Sequence, residues 1–292
     1  MKKRNRKDRR DGYFVDKCDV MHLFMPYILP DRIANEAVMN EPIDLTAVIN
    51  YVDKKNVENP SDFKYTMFHV FTAAMAKTIF HRPKLNRFYI ANRYYERKDI
   101  SFAFVVKKQL TDTAEEALAI ITVDPEGECP IEQIHNKIKD FVFSVRKENK
   151  TEGTTDIMNI LTRLPRWLLK FTMAILRRLD YYDLLPMSVL KEDPYHCSAF
   201  ISNLGSIKMH ASYHHLTNWG TNSLFIVIGE KKKKPVYLDD GTVKFTETLN
   251  LGMTVDERIA DGVYFANSVK LFKKLLDNPE LLEKDITEPV EL

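Results

Sequence analysis

Apolar residues recur along this chain with two different periods, and the periods separate predicted helices from predicted strands. Spacings of three and four residues predict amphipathic helices over 61–81, from Pro130 to Val145 and over 263–276. Pro83 follows the first of these helices, and Pro130 stands at the start of the second, which marks two of the boundaries. Short runs rich in β-branched and aromatic residues predict strands. These strands are predicted over 99–108, 117–125, 198–207 and 223–230.

The order of these elements predicts one mixed α/β domain. A short strand followed by a helix is predicted over 41–56, and a hairpin over 234–255 turns at Asp240 and Gly241. Because a hairpin is antiparallel, the sheet does not follow the strict alternation of a doubly wound fold. The chain contains neither a GxGxxG nor a GxxxxGK motif, so a nucleotide-binding fold is not predicted.

The composition is that of an ordinary globular protein and supplies no strong electrostatic signal. Of 292 residues, 45% are hydrophobic and 29% are charged, and the formal net charge is +2. The cysteines Cys18, Cys129 and Cys197 are far apart and form no CxxC motif, so neither a disulfide framework nor a metal site is predicted. The N-terminus has no apolar signal segment, and we therefore expect a reduced, cytoplasmic compartment.

Two segments are strongly basic. Seven of the first ten residues are Lys or Arg, and we predict that residues 1–12 form a solvated tail ahead of a single domain over 13–292. No nucleic-acid partner is predicted. The second segment, 158–190, is a predicted helical insertion that combines Leu, Met and aromatic residues with Arg163, Arg166, Lys170, Arg177 and Arg178.

Three interpretations of the 158–190 segment stay open. Its helices pack on the domain, or a basic amphipathic helix makes a peripheral contact with a membrane surface, or the segment covers a site for an apolar substrate. The sequence pattern alone favours packing, because amphipathic helices usually bury their apolar face against their own domain.

Two stretches near the C-terminus resemble a known family. The first is FISNLGSI at 200–207, and the second is LGMTVDERIADGVYFANSVKLFKKLLDNPELL at 251–282. In this order they resemble the chloramphenicol acetyltransferase and dihydrolipoyl acyltransferase superfamily, which includes the 2-oxo acid dehydrogenase acyltransferase catalytic domain. That family ends in a strand, a His-x-x-x-Asp-Gly corner and a helix. The segments 43–52 and 65–90 are similar to its early strand and helix.

The resemblance implies a fold, an assembly and a reaction. The implied fold is chloramphenicol acetyltransferase-like α/β, a mixed sheet backed by helices in two layers, and the implied assembly is a homotrimer. In the family the active site lies between subunits, where coenzyme A or lipoamide brings an acyl group to an acceptor. We expect coenzyme A as the acyl donor, an acceptor that the sequence does not name, no metal, and no lipoyl domain ahead of the core.

The family's functional residues map onto named positions. Ser202 matches a serine that supports the tetrahedral oxyanion, Asp261 matches the corner aspartate, and Gly262 matches the corner glycine. The family pairs that aspartate with a buried arginine. Arg32 is the first candidate for the arginine and Arg258 is the second.

Glu257 stands where the family has its catalytic histidine. A solvated glutamate is a weaker base near neutral pH than an imidazole, so three hypotheses stay open. Glu257 is itself the base, or a histidine of the 209–220 segment replaces it, with His214 and His215 as candidates beside His210. In the third hypothesis the chemistry is lost, and the trimer binds acyl groups or coenzyme A, or serves as a scaffold, without catalysis.

Overall fold

The computed structural model describes residues 5–107, 116–147 and 161–291. Residues 1–4 of the predicted tail, residue 108 of a predicted strand and residues 158–160 of the basic segment lie outside this description. In chain order the strands are β1 (Gly12–Phe14), β2 (Glu36–Asp44), β3 (Arg87–Ile90), β4 (Arg93–Arg97), β5 (Ile100–Lys107), β6 (Glu116–Val123), β7 (Ala199–Asn203), β8 (Leu224–Ile228), β9 (Lys232–Tyr237) and β10 (Val243–Asp256).

The helices agree with the predicted ones and add a helix near the N-terminus. They are α1 (Val20–Ile28), α2 (Thr46–Glu58), α3 (Met67–His81), α4 (Pro130–Lys147), α5 (Arg166–Tyr181), α6 (Met187–Glu192) and α7 (Gly262–Asp277). The predicted helices at 61–81, 130–145 and 263–276 are therefore confirmed as α3, α4 and α7. α1 was not predicted, because its nine residues include Pro26 and are apolar on every side.

The main sheet is mixed, as the predicted fold requires. Its strand order is β2-β10-β8-β7-β5-β6. β9 lies off this order and pairs with β10 in a hairpin. The pairs β5–β7 and β7–β8 are parallel, while β10 is antiparallel to β2, β8 and β9. A small second sheet, β1-β4-β3, lies apart from the main one and was not predicted.

The two faces of the main sheet are covered differently. On one face, α2, α3, α4 and α7 pack over the apolar residues of the strands and form the large core. The opposite face carries a much smaller cluster, centred on Phe200, Leu216, Phe225 and Val227. The helices therefore form one layer and the sheet the other, and one face of the sheet is left with little cover from its own chain.

The structure shortens one predicted strand. The strand predicted over 198–207 ends at Asn203, and Leu204–Ile207 form a 3-10 turn. The Asn203 side chain causes this ending, because it accepts a hydrogen bond from the Ser206 backbone nitrogen at 3.3 Å. Side-chain capping of this kind competes with strand hydrogen bonding.

The end of the predicted tail is held against the domain. Arg9 lies within the segment predicted to be solvated, yet it is only 3% exposed. Its guanidinium donates to the Asp180 carboxylate at 2.8 Å and to the Asp180 backbone oxygen at 2.8 Å. The Arg10 backbone nitrogen donates to Asp183 at 3.0 Å. Composition could not reveal this, because the partners lie about 170 residues away in sequence.

Two buried histidines lie where α3 packs on α4. The Nδ1 atom of His69 accepts a hydrogen bond from the Thr66 backbone nitrogen at 3.0 Å, which completes a capping box at the start of α3. Burial and the nearby His135 lower the pKa of His69 to about 3. Burial also lowers the pKa of His135.

We predict that His69 makes the protein sensitive to acid. The unfolded chain takes up a proton at His69 below about pH 6.5, whereas the folded chain does not until about pH 3. Stability is therefore lost as the pH falls below about 6.5, at about 1.4 kcal/mol per pH unit for this group. His69→Gln keeps a capping-box acceptor and should make the unfolding free energy depend less on pH between 6 and 4.

Urea denaturation at several pH values measures this dependence. The matched control is His210→Gln, which removes a histidine whose side chain is 75% exposed and should change the pH dependence far less than His69→Gln does. Equal slopes for the parent chain and His69→Gln would contradict the prediction, even if the substitution lowered stability uniformly.

Candidate functional site

Ser202 lines a cavity on the sheet face that the helices leave uncovered. The cavity has a volume of about 430 Å³. Its walls include Tyr195, Phe200, His214, His215 and Phe225. The structure thus brings together the predicted serine and the two predicted histidines, which the sequence separates by about a dozen residues.

Both histidines have one ring nitrogen committed to a backbone carbonyl. His214 Nδ1 lies 3.2 Å from the His215 carbonyl oxygen, and His215 Nδ1 lies 3.3 Å from the Leu216 carbonyl oxygen. A carbonyl only accepts, so each Nδ1 donates and each neutral ring keeps its lone pair on Nε2. The His214 ring is also stacked on Phe225, with ring centroids 4.0 Å apart and an angle of 4° between the planes.

A glycine in β10 and a glycine directly after β8 let the histidine segment lie directly on the sheet. A Cβ atom at Gly252 would lie 2.8 Å from the Ser212 carbonyl oxygen, and one at Gly229 would lie 2.6 Å from the Ala211 nitrogen. Both distances are shorter than a carbon atom tolerates. The absence of side chains at these positions is therefore what allows the segment to approach Ser202.

Buried side chains fix the chain that follows the histidines. Arg97 donates to the Thr221 carbonyl oxygen at 2.9 Å, and Arg32 donates to the Asn222 carbonyl oxygen. The Leu216 nitrogen donates to Glu36 at 2.5 Å. Burial lowers the pKa of Arg32 to about 10, although the charge of Asp256 opposes that effect.

A second buried network joins this region to α5. His196 Nε2 lies 3.2 Å from Asp180, and His196 Nδ1 lies 3.1 Å from Asp193. Burial alone lowers the pKa of His196, but hydrogen bonds that the ring donates to the two carboxylates raise it above its ordinary value. Asp193 also accepts from Trp219 Nε1 at 2.5 Å, and the Thr217 hydroxyl donates to the Trp219 carbonyl oxygen at 2.6 Å.

The corner that carries Glu257 is built by its two neighbours. Arg258 Nε donates to Asp256 at 2.8 Å and a terminal nitrogen donates to the other carboxylate oxygen at 2.7 Å, with both side chains at most 2% exposed. The Asp256 carboxylate also accepts from the Arg258 backbone nitrogen. Glu257 is half-buried, and among the described residues its carboxylate has no hydrogen-bond or ion-pair partner.

The arginine pairing that the resemblance assigns to Asp261 belongs instead to Asp256. Asp261 is exposed and caps α7, accepting from the Tyr264 nitrogen at 2.8 Å. Its nearest cation is Lys84, at 3.9 Å. Arg258 binds Asp256 directly, and Arg32 lies close enough to feel the charge of Asp256. Asp256 sits at the buried end of β10, whereas Asp261 faces outward at a helix start, which explains the correction.

The remaining predicted site residues have simple surroundings. Gly262 begins α7, and a Cβ atom there would meet nothing within 4 Å. His210 is exposed and forms an ion pair with Glu230 at 2.9 Å, so it does not line the cavity. In the described ranges no group of three or more potential metal-ligating residues is found. No described helix combines the length and the apolarity needed to cross a membrane.

The sheet register separates Ser202 from Glu257. Ser202 pairs with Val227, and Val227 pairs with Gly252 on β10. Glu257 follows Gly252 by five residues along the chain, which corresponds to roughly 16 Å in an extended strand. Glu257 is therefore offset from Ser202 along the sheet and is not among the residues that line the serine cavity.

The architecture is similar to that of solved acyltransferase cores. The cubic core of the pyruvate dehydrogenase multienzyme complex superposes with a TM-score of 0.61, covering 92% of this chain and 93% of that chain at 14% identity. A probable dihydrolipoamide acetyltransferase from Listeria monocytogenes gives a TM-score of 0.57, 91% and 95% coverage, and 15% identity. The fold is therefore that of dihydrolipoamide acetyltransferase cores, which confirms the predicted α/β fold.

A third similar structure was determined to examine catalysis. The dihydrolipoamide acetyltransferase of Azotobacter vinelandii superposes with a TM-score of 0.59, covering 92% of this chain and 93% of that chain at 14% identity. That work concerned the role of a serine, a histidine and an asparagine in the catalytic mechanism of that enzyme.

The sequence match is narrower than the structural one. Residues 190–283 match the family described as 2-oxoacid dehydrogenases acyltransferase (catalytic domain). The matched segment contains Ser202, both cavity histidines and the Glu257 corner. A comparison with curated proteins gives no match. The resemblance to this family that was stated from the sequence is thus confirmed, and the placing of Glu257 at the family's histidine position stays a prediction.

Sequence reasoning missed the buried residues that support the site. Arg97 and His196 contact partners 124 and 16 residues away, whereas Asp193 contacts His196 three residues on and Asp256 contacts Arg258 two residues on. A usable signal existed at only one place. Asp256 directly precedes the corner, and a carboxylate two residues before an arginine is spaced to form a local pair.

We predict that Asp256 and Asp261 differ sharply in their contribution to stability. Asp256→Asn leaves the buried Arg258 without its countercharge, and breaking a buried ion pair in this way typically costs about 3–5 kcal/mol. Asp261→Asn replaces one good helix cap with another and should change stability by well under about 1 kcal/mol.

Chemical denaturation of the two variants and the parent measures this difference. The two substitutions are chemically identical and lie five residues apart, so each serves as the control for the other. A larger loss for Asp261→Asn would restore Asp261 as the structural aspartate of this corner.

Proposed function

We propose that this chain is an acyltransferase that moves an acyl group from a thioester, such as an acyl-coenzyme A, to an acceptor bound in the Ser202 cavity. One observation carries the proposal: Ser202, His214 and His215 line the same cavity on the open face of the sheet. All three residues lie in the segment that matches an acyltransferase family.

The geometry supports a general-base reaction. The Nε2 atom of His214 takes the proton from the acceptor hydroxyl or amine while the acceptor atom attacks the thioester carbonyl carbon. The Ser202 hydroxyl donates a hydrogen bond to the oxyanion that forms. The carbon–sulfur bond then breaks, and the thiolate leaves with the proton that His214 returns. The stacking of His214 on Phe225 supports this role, because it fixes the ring over the cavity.

We further propose that the working unit is a homotrimer in which a neighbouring subunit brings its Glu257 corner to the cavity. The register that separates Ser202 from Glu257 supports an arrangement of this kind. Two exposed apolar surfaces also support it. α1, which packs beside the Glu257 corner, exposes Phe24 and Tyr27 by 59% and 66%, and the β9–β10 hairpin exposes Tyr237 and Phe245 by 77% and 61%.

The role of Glu257 in this assembly is that of a second proton acceptor or an orienting group. Its carboxylate is not engaged by any described residue of its own protomer and is available to a neighbouring site. The same observation also fits a second candidate function. If Glu257 replaces the catalytic residue without replacing its chemistry, the trimer binds acyl groups or coenzyme A without turning them over.

We predict that His214→Asn removes the base and lowers the rate of acyl transfer by about 10²–10⁴-fold without loss of folding. Glu257→Gln should have a smaller effect, since it removes an acceptor that supports the reaction from a neighbouring subunit. If the chain is an enzyme with an intact cavity, Glu257→His should raise turnover, because it places the family's residue at the corner. Free-thiol release from acetyl-coenzyme A and longer acyl donors, with hydroxyl and amine acceptors, measures each rate.

Coenzyme A binding distinguishes the two candidate functions. An active parent chain whose rate is insensitive to His214→Asn but sensitive to Glu257→Gln would assign the base to Glu257. A parent chain that binds coenzyme A in calorimetry but releases no thiol, with or without Glu257→His, would support the non-catalytic function. The matched control is His210→Asn, which alters a histidine outside the cavity.

A second prediction concerns the shared site. The chain should scatter light as a trimer of about 102 kDa, three times the 34.1 kDa of one chain. Ser202→Ala and Glu257→Gln subunits should each be impaired alone. When the two are mixed during refolding or co-expression, about a quarter of the sites receive an intact serine from one subunit and an intact glutamate from its neighbour. Activity should recover accordingly.

The control for mixing is a chain that carries both substitutions. A sample refolded from this chain alone contains no complete site and should recover no activity. A monomer in light scattering, or a mixture no more active than its components, would contradict the shared site but would leave the cavity chemistry within one protomer intact.

A further inference from the structure

The helix α5 has an unusual surface for a helix of a globular domain. Of its sixteen residues, Asp180 alone is buried. Trp167, Phe171 and Ile175 are spaced by four residues and are exposed by 71%, 60% and 43%. Four-residue spacing places them on one side of the helix, so they form a continuous apolar stripe that faces solvent.

A basic stripe runs beside the apolar one. Arg166, Lys170 and Arg177 are exposed and, by helical periodicity, lie on the flank next to Trp167 and Phe171. The helix has no exposed acidic residue, because its single carboxylate, Asp180, is buried against Arg9 and His196. The exposed surface of α5 is therefore apolar and positively charged.

A second basic segment meets this helix at its C-terminal end. The buried Arg9 holds the N-terminal segment on Asp180, and the Arg10 side chain donates to the Leu185 carbonyl oxygen at 3.2 Å. The exposed Arg6 and Lys7 precede this anchor and are separated from it by Asp8, whose carboxylate accepts from two backbone nitrogens. Two basic segments that are distant in sequence are thus joined at one corner of the molecule, and the carboxylates nearby are occupied within the anchor.

We propose that α5 and the anchored N-terminal segment form a docking surface for a bilayer that contains anionic lipid. An apolar stripe flanked only by Arg and Lys fits the boundary between headgroups and acyl chains. Trp167, Tyr181 and Tyr182 are of the type that lies at that boundary, and both tyrosines are about half-exposed. The proposal does not depend on the acyltransferase function.

The chemistry of the surface favours a bilayer over two other partners. A nucleic acid would neutralise the basic residues but would leave Trp167 and Phe171 in water. A twofold contact between two copies would set one basic stripe against another, with no exposed carboxylate on α5 to offset the repulsion. A bilayer with anionic headgroups satisfies both the charge and the apolar stripe.

The test is flotation of the purified full chain with vesicles. Vesicles of phosphatidylcholine with about a third phosphatidylserine should carry the protein at low salt, pure phosphatidylcholine should carry much less, and salt of about 0.5 M should weaken binding. Arg166→Gln, Lys170→Gln and Arg177→Gln together should weaken binding by on the order of 100-fold, about fivefold for each charge. Trp167→Ala with Phe171→Ala should weaken binding to both vesicle types.

A charge-matched control separates a docking surface from general attraction. Lys54→Gln, Lys233→Gln and Lys270→Gln together remove three exposed cations from other elements and should weaken binding far less. The chain has two tryptophans, so Trp167 fluorescence gives an independent readout. Emission should shift to shorter wavelength with anionic vesicles, and the shift should disappear in Trp167→Phe.

Four outcomes would overturn the proposal. The first is no flotation with anionic vesicles at low salt. The second is equal weakening by the α5 and control triple substitutions. The third is a change in the mass of the assembly when Trp167 and Phe171 are replaced, which would identify the partner as a second copy. The fourth is binding to a duplex oligonucleotide without binding to vesicles.

Discussion

Three buried arginines, two next to strands of the main sheet and one at the end of β4 in the small sheet, impose the constraint on which the rest of the structure depends. Arg32, Arg97 and Arg258 are each at most 8% exposed, and a guanidinium in such a place must find acceptors for its donors. Arg97 and Arg32 use backbone carbonyls of the 196–222 region, whereas Arg258 uses Asp256. The path of the chain above the sheet is thus fixed by buried donors rather than by an apolar core.

This constraint accounts for the position of the cavity. The small apolar cluster on that face is too thin to hold a long segment without regular structure, and a loop without buried partners would be mobile. Arg97 and Arg32 bind the backbone at residues 221–222, and Glu36 accepts from the Leu216 nitrogen. Gly229, directly after β8, and Gly252 in β10 leave room for residues 211–212. His214 and His215 lie between these fixed points and are carried to the face that exposes Ser202.

The fold was predictable from sequence to a greater extent than the site. Helices α3, α4 and α7 and the strands β5, β6 and β8 follow periodicities that local sequence contains. Ser202 and the Glu257 corner came from motifs. The Asp256–Arg258 pair is local, and it was missed because the resemblance assigned the arginine to Asp261. The burial of Arg9 against Asp180 depends on a contact between distant segments. One sequence carries no local trace of such contacts, and charge alone suggested solvent exposure for Arg9.

The corner at Glu257 shows how a turn can be stabilised without any contribution from its central side chain. The turn is stabilised by the Asp256–Arg258 pair on one side and by the Asp261 cap of α7 on the other. Residue 257 lies between them and contributes no described hydrogen bond, so the local structure places little demand on its side chain. Selection on folding would therefore accept a histidine or a glutamate there equally. Because no described hydrogen bond of the corner involves this side chain, its identity is open to selection for function rather than for folding.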